Sequence, residues 1–368
     1  MRVVVVGAGA VGSAVAFALA DRGAEVILFE RGSVADGASG AAAGMLAPLS
    51  EAPDGGPLLL AGLEALSEFA GWLQAVEEAA GIEVEASHGG TLILALDAEK
   101  AERLRVRLDW QRELDPKVRW IQPKALASVA PHLRGGLAGA LFYPREMQVT
   151  ARRYTTVMAL AAVARGASLR EQTPVRSLLT DGATLIGVEF DGDRLLADAV
   201  VLAPGADGSL LATVGLQLPL TPIKGELVRL QPTDRLPAHL LFAPGGYLAP
   251  TGDGTVIVGA TELTDDDTLT VAASSLSGVA PVRRWSRTGA PRRILHRRLG
   301  GPTTDTTRPS TGDRPGAGTP GPLARDRPLP ERHLALGLDG PPTGIGHTRR
   351  RGFAGGHATG PFVGSHLS

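Results

Sequence analysis

The start of the chain alternates apolar runs with glycine in a way that predicts a strand, a helix and a second strand. Arg2–Val6 contains four consecutive valines, which is typical of a buried parallel strand. Residues 13–22 have helical composition and are followed by Gly23. Glu25–Phe29 has the apolar run of another strand and is followed by Glu30. This order of elements predicts an α/β fold with a parallel sheet.

Later segments add elements of a different kind. Two apolar segments flank the turn residues Gly252, Asp253 and Gly254, which predicts an antiparallel hairpin. Altogether the sequence predicts further strands over 91–96, 225–230, 247–250 and 255–260, and helices over 98–113 and 151–165.

The junction between the first strand and the first helix carries a complete G-x-G-x-x-G, formed by Gly7, Gly9 and Gly12. In a dinucleotide-binding fold the first glycine permits the tight turn, the second lets a pyrophosphate approach the backbone, and the third lets helix and strand pack closely. The helix N-terminus offers free N–H groups to phosphate. Glu30 can accept hydrogen bonds from both ribose hydroxyls and would repel the additional phosphate of NADP. The alternative is a glycine-rich turn in another kind of α/β protein.

Residues 32–46 are almost all small, with the sequence GSVADGASGAAAGML. Such a stretch lets the chain pass close to a large flat cofactor, which favours FAD over NAD. The alternative is a flexible surface loop.

The composition excludes several classes of protein. The absence of cysteine excludes disulfides, thiolate catalysis and cysteine-based metal sites. The scattered histidines lack metal-ligand spacing, so no metal site is assigned. A formal net charge of -1 gives no reason to expect a nucleic-acid partner. The sequence shows neither an apolar run of roughly 18 residues nor a signal peptide, so we expect a cytoplasmic protein without a membrane partner.

Over residues 1–265 the sequence resembles the glycine oxidase branch of the D-amino acid oxidase family of FAD enzymes. The resemblance is carried by GAGAVG, FER, GASGAAAGML (37–46), FYPREMQV (142–149), TPV (173–175), ADAVVLAPG (197–205), PIKGE (222–226) and GGYLAPTGDGTVIVGATE (245–262). It implies a Rossmann-like FAD-binding domain over 1–85 plus 140–215. This domain would be interleaved with an antiparallel-sheet substrate domain over 86–139 plus 216–270.

The resemblance also implies site residues. FAD contacts are expected from Gly7, Gly9, Ala10, Val11, Gly12, Glu30, Arg31, Ala38, Ser39, Ala43, Gly44, Met45 and Val175. Substrate contacts are expected from Met45, beside the isoalloxazine, and from Tyr247, facing the substrate carboxylate. The alternatives are that Met45 is ordinary core and that Tyr247 is an aromatic residue packed on its sheet. Lys224 is expected to lie in solvent.

The implied chemistry is the oxidation of a small amine. A hydride passes from the substrate α-carbon to the flavin, the imine is hydrolysed to a 2-oxo acid and ammonia, and oxygen is reduced to hydrogen peroxide. The substrate would be glycine, sarcosine or another small amine or D-amino acid, and the enzyme would serve thiamine biosynthesis, with a homo-oligomer as the family's usual state. The alternatives are a D-amino acid dehydrogenase with another electron acceptor and a non-catalytic product of a damaged gene.

Residues 271–368 differ sharply from the rest of the chain. They contain 15 Arg, no Lys and only 5 Asp and Glu, and 29 of these 98 residues are Gly or Pro. This composition predicts an irregular or disordered tail. Two stretches that close the family's sequences are missing. One is Trp-Ala-Gly-x-Arg-Pro, whose arginine pairs with the substrate carboxylate, and the other is Gly-His-x-x-x-Gly, which closes over the flavin.

A shifted reading frame accounts for both losses. One permitted set of codons for LGGPTTDTTRP (299–309), read one base later, encodes Trp-Ala-Gly-Leu-Arg-Pro. In the same frame, DRPLPERH (326–333) yields Thr-Gly-His-Tyr-Arg-Asn-Gly-Ile. We therefore predict that the tail is translated out of frame, with the shift between residues 265 and 298. The alternative is a genuine basic, disordered tail.

Overall fold

The computed structural model describes residues 1–131, 133, 135–217, 223–231, 238–261 and 263, and the backbone of residues 294–297. The strands are β1 Arg2–Val6, β2 Glu25–Phe29, β3 Met45–Leu46, β4 Ala86–Ser87, β5 Thr91–Ala95, β6 Arg119–Ile121, β7 Gly139–Tyr143, β8 Met147–Val149, β9 Ser168–Arg170, β10 Val175–Asp181, β11 Thr184–Phe190, β12 Asp193–Leu196, β13 Ala199–Leu202, β14 Leu227–Leu230, β15 Leu240–Ala243, β16 Gly246–Pro250, β17 Val256–Gly259 and β18 Ile294–Arg297. The helices are α1 Ala10–Asp21, α2 Ala38–Ala41, α3 Pro48–Glu51, α4 Pro57–Ala80, α5 Ala98–Leu114, α6 Pro123–Val129, α7 Ala151–Ala164 and α8 Ser209–Ala212.

A four-stranded parallel sheet, in the order β13-β1-β2-β9, contains the N-terminal strand near its centre. Val3 and Val5 of β1 join the apolar cluster that includes Phe17 of α1. Val4 and Val6 point to the opposite face and join the cluster formed with the antiparallel sheet β10-β11-β12. Because both faces are covered, every position of the strand is apolar after Arg2.

An eight-stranded sheet forms the second part of the fold, in the order β18-β14-β17-β16-β15-β5-β7-β6. Its pairs are antiparallel except β15 with β5. On one face, Ile93 of β5 packs with Leu104 and Leu108 of α5. On the other face, Leu92 lies in a cluster with Leu241. A short sheet, β3-β8-β4, links residues 45–46 to residues 147–149.

The predicted elements are present with shifted ends. The helix predicted over 13–22 is α1, and it begins three residues earlier, at Ala10. Residues 139–143 form β7 of the eight-stranded sheet, although the sequence-based boundary assigned residues from 140 onward to the FAD domain. The division of the chain into 1–85 plus 140–215 and 86–139 plus 216–270 otherwise stays a prediction.

One part of the predicted irregular tail is regular. Ile294–Arg297 is the strand β18, which pairs antiparallel with β14, so the expectation for 271–368 does not hold at these residues. β18 is therefore the outer strand of the eight-stranded sheet at this end, and β14 lies between β18 and β17. The rest of 271–368, including 299–309 and 326–333, lies outside the described residues. In the part of the chain that the structure describes, no helix has the length and apolar character needed to cross a bilayer.

Candidate active site

The glycine motif forms a close junction between β1 and α1. Gly7 has a φ of 102°, and a Cβ built on it would lie 2.3 Å from the Ala203 carbonyl oxygen. A Cβ on Gly12 would lie 1.8 Å from the Gly7 carbonyl oxygen. Both obstacles are backbone atoms that cannot move aside. The two glycines therefore bring the first turn of α1 against the end of the sheet, with its N–H groups at the loop.

Glu30 stands beside this loop, at the carboxyl end of β2. Its Oε2 accepts a hydrogen bond from Ala8 N, and its Oε1 accepts one from Gly32 N, both at 2.8 Å. Ser39 Oγ accepts a further bond from Ala10 N at 2.9 Å. A carboxylate can accept about four hydrogen bonds, so Glu30 keeps acceptor capacity for ligand hydroxyls.

These groups fit the adenosine and pyrophosphate parts of FAD. The N–H groups at the start of α1 can donate to phosphate, and the glycines leave room for it. The Glu30 carboxylate, at the end of the neighbouring strand, can accept from ribose, and together these are the donors and acceptors that a dinucleotide requires.

The other residues predicted to contact FAD differ in their surroundings. Val11 is 70% exposed on α1, and Ala38 is also exposed. Arg31 pairs with Asp207 at 2.6 Å, which stabilises its side chain by a surface ion pair.

Val175 begins β10, close to the end of β2. Thr173 N, two residues earlier, donates to the Glu30 carbonyl oxygen at 2.9 Å. The structure thus brings Val175 and Glu30 to the same edge of the parallel sheet. Whether they contact FAD stays a prediction.

The small-residue stretch is ordered as a tightly held turn rather than an open surface loop. The Ala43 carbonyl oxygen accepts from Gln148 Nε2 at 2.8 Å, and the Gly44 carbonyl oxygen accepts from Val149 N at 2.9 Å. Gly44 has a φ of 79°, and a Cβ there would lie 1.9 Å from the Val149 carbonyl oxygen. Met45 then pairs with Gln148 in the short sheet.

Met45 and Tyr247, the two predicted substrate residues, lie in one apolar cluster. Both pack against a set of buried residues that comprises Ala43, Leu227, Leu240, Ala249 and Ile257. Met45 directly follows the Ala43–Gly44 turn in the chain, and Ala43 itself belongs to the cluster. We call this region, where the substrate is expected to lie, the Met45–Tyr247 pocket.

The phenol of Tyr247 lies over Gly259, the residue opposite it in the β16–β17 pair, in space that a side chain at position 259 would occupy. A Cβ on Gly259 would lie 2.6 Å from Tyr247 Oη. Burial, and then the charge of Glu51, raise the pKa of Tyr247. The phenol therefore stays protonated and can donate to a carboxylate. Partial desolvation also raises the pKa of Glu51.

Sequence reasoning missed Glu51, Gln148 and Gly259 as parts of this region. Gly259 could have been found, because the hairpin register around residues 252–254 places it opposite Tyr247. Lys224 was expected in solvent, and that expectation was wrong. Its side chain is 8% exposed and its Nζ lies 3.1 Å from Glu226 Oε1, because the preference of an ammonium for water is offset here by a buried carboxylate.

The comparisons with known proteins decide the family. The family profile DAO, described as FAD dependent oxidoreductase, matches residues 2–348. The chain belongs to this family. It is therefore an FAD-dependent oxidoreductase, and FAD is its cofactor, as the sequence predicted.

Several members with a curated description are similar to the chain. A glycine oxidase from Geobacillus kaustophilus (strain HTA426) is 34% identical over 262 residues, covering 70% of this chain and 69% of the relative. A glycine oxidase from Pseudomonas aeruginosa is 31% identical over 320 residues, covering 80% and 84%. The bifunctional protein ThiO/ThiG of Nostoc sp. is 30% identical, and the match covers 70% of this chain but 39% of that longer protein.

A solved structure confirms the α/β fold class. The crystal structure of glycine oxidase from Geobacillus kaustophilus superposes with a TM-score of 0.72 at 30% identity, covering 81% of this chain and 83% of that one.

Proposed function

We propose that this chain oxidatively deaminates glycine or another small amine or D-amino acid to the imine, which water hydrolyses to a 2-oxo acid and ammonia. The observation that carries the proposal is the Met45–Tyr247 pocket, which adjoins the turn expected to contact the flavin. The similarity to glycine oxidases supports a small amino-acid substrate. The similarity to bifunctional ThiO/ThiG proteins supports a role in thiamine biosynthesis.

FAD held by the glycine loop and Glu30 would supply the acceptor for the hydride of the substrate α-carbon, and oxygen would take up the electron pair as hydrogen peroxide. The residues of this chain bind and orient the substrate. Tyr247 Oη donates a hydrogen bond to the substrate carboxylate, because burial keeps the phenol protonated. Met45 limits the width of the pocket and favours a substrate with a small side chain. The surrounding apolar cluster excludes water from the reacting carbon.

The test is a peroxide assay on the purified chain, supplied with FAD and with glycine, sarcosine or D-alanine under air. Because the present chain lacks the two closing stretches, the chain translated in the unshifted frame is assayed beside it. Peroxide and ammonia in equal amounts are the expected result with glycine and D-alanine for the unshifted chain, with lower rates for the present one. Substrate-dependent bleaching of the flavin without peroxide, with electrons reaching an added dye or quinone, would instead identify a dehydrogenase. A flavin spectrum that no amine bleaches anaerobically would indicate a non-catalytic product of a damaged gene.

We also propose that the chain forms a homo-oligomer through the outer face of α5. Val106 is 63% exposed there, and Trp110 and Leu114 line an apolar cavity of about 400 Å³ with Leu60. Exposed apolar surface of this kind favours association. Sedimentation of the chain and of Val106→Asp tests this, since a monomer in both contradicts it. For localisation we propose the cytoplasm, which cell fractionation checks.

A further inference from the structure

The helix α3 is too short to hold itself together. It comprises only Pro48–Glu51, where Glu51 N donates to the Ala47 carbonyl oxygen at 3.1 Å. A helix leaves its first four N–H groups and last four C=O groups without intrahelical partners, so nearly all of α3 consists of such groups. A single turn is also unstable in isolation. Other parts of the chain must fix it.

Three side chains from α5 and from the residue before β8 make these bonds. Arg107 Nη2 donates to the Leu49 carbonyl oxygen, and also to that of Ser50 at 2.7 Å. Gln111 Nε2 donates to the Leu49 carbonyl oxygen at 2.9 Å, while Glu146 Oε1 accepts from Ser50 N at 2.7 Å. We call Arg107, Gln111 and Glu146 the α3 clamp. The clamp satisfies the polar groups that α3 cannot satisfy internally.

The clamp is itself held rigidly. Tyr143 Oη donates to Gln111 Oε1 at 2.8 Å, and Arg107 Nε donates to the same oxygen at 3.3 Å. The guanidinium of Arg107 also lies 5.8 Å from the centre of the Tyr143 ring. Gln111 and Glu146 are 0% and 2% exposed. Apolar residues of similar volume would fill this space without the cost of desolvating charges, so packing alone does not account for a clamp of this composition.

The clamped turn borders the Met45–Tyr247 pocket. Met45 lies three residues before α3. Leu49 of α3 packs in one cluster with Phe242, and the ring of Phe242 lies 5.6 Å from that of Tyr247. We propose that Arg107 is a positioning residue: by holding the carbonyl groups of Leu49 and Ser50, it fixes the wall of the Met45–Tyr247 pocket that it does not itself touch. The inference rests on the proposed function for the statement that this pocket takes the substrate.

The test compares three variants. Arg107→Met keeps the apolar stem and removes the donors, whereas Arg107→Lys keeps an ammonium donor. Arg112→Met is the matched control, because Arg112 lies on the same helix and donates to a carbonyl group away from α3, that of Val118, at 3.3 Å. Hydrogen–deuterium exchange over 45–52 is measured for each full-length chain, together with KM, kcat and the Kd for FAD.

Arg107→Met removes the hydrogen bonds to the Leu49 and Ser50 carbonyl oxygens and to Gln111 Oε1. We expect it to speed amide exchange over 45–52 and to raise KM for the amine about tenfold, which corresponds to about 1.4 kcal/mol of substrate binding. Its kcat should change much less, its Kd for FAD should be unchanged, and Arg107→Lys should recover part of KM. Arg112→Met should match the parent chain in exchange over 45–52. A KM that does not move while exchange rises would show a purely structural role and would overturn the inference.

The two proposals can fail separately. Unchanged exchange over 45–52 in Arg107→Met overturns the positioning role, whatever the enzyme oxidises. A parent chain that oxidises no amine overturns the proposed function, while faster exchange confined to Arg107→Met still supports the hold of Arg107 on the pocket wall.

Discussion

Replacing Glu30 with glutamine tests the candidate dinucleotide site, because Glu30 connects the glycine loop to the segment that follows β2. The carboxylate accepts from Ala8 N and Gly32 N, both at 2.8 Å, through separate oxygens. A glutamine has a single acceptor oxygen, so its NH₂ group must face one of these N–H donors. Losing a hydrogen bond to a charged group costs about 1.5–3 kcal/mol. We expect Glu30→Gln to lower the free energy of unfolding of the FAD-free chain by about this amount.

The same change removes an acceptor for ribose, so the Kd for FAD should rise at least about tenfold. Urea unfolding measures the first effect, and quenching of flavin fluorescence on titration measures the second. Glu25→Gln is the control, because Glu25 begins the same strand and forms only an exposed pair with Arg2 at 2.8 Å, worth about 0–1 kcal/mol. Equal unfolding curves for the two variants, with unchanged FAD binding, would refute the reasoning.

Three further outcomes are expected. Gly259→Ala places a Cβ 2.6 Å from Tyr247 Oη, so it should lower the free energy of unfolding by about 1–3 kcal/mol and displace the phenol. The KM for the amine should then rise, and an unchanged KM would contradict the proposal that Tyr247 binds the substrate carboxylate. Burial raises the pKa of Glu146 from 4.5 to about 7, so the folded state retains a proton that the unfolded state releases in this window. Stability should therefore fall by on the order of 3 kcal/mol as pH rises through it, and urea unfolding at several pH values should show this fall for the parent but not for Glu146→Gln. Resequencing codons 260–368 should reveal one inserted or deleted base between codons 265 and 298. The chain translated in the restored frame should then bind FAD more tightly than the present one. Unaltered bases would instead support a genuine basic tail.

The local parts of the fold were predictable because their determinants are adjacent in the chain. The valines of β1, the glycines that follow and the acid after β2 lie within the first thirty residues, and each has a direct stereochemical meaning. The start of α1 was placed three residues late, since Gly12 is a poor helix former by propensity yet is required there by its contact with Gly7.

The contacts that complete the pocket were not predictable in this way. Arg107 holds carbonyl groups 57 and 58 residues earlier in the chain, and no periodic pattern indicates such a pairing. Lys224 was misjudged for a similar reason. A lysine beside a glycine is usually solvated, and its burial follows from the arrangement of Glu226 beside the eight-stranded sheet. Tyr247 and Met45 were identified through family resemblance, and the structure shows that they share one cluster.

The dependence of residues 43–51 on distant partners has a consequence for synthesis on the ribosome. The first strand, helix and second strand can form soon after they emerge, but the bonds that fix α3 come from residues up to Glu146, and those of the preceding turn come from Gln148 and Val149. At roughly 5–20 residues per second, those partners appear about 5–20 s later. The glycine loop waits longer still, because Gly7 closes against Ala203 and β1 pairs with β13. The pocket wall can therefore be fixed before the dinucleotide cradle is complete, although the cradle's glycines are made first.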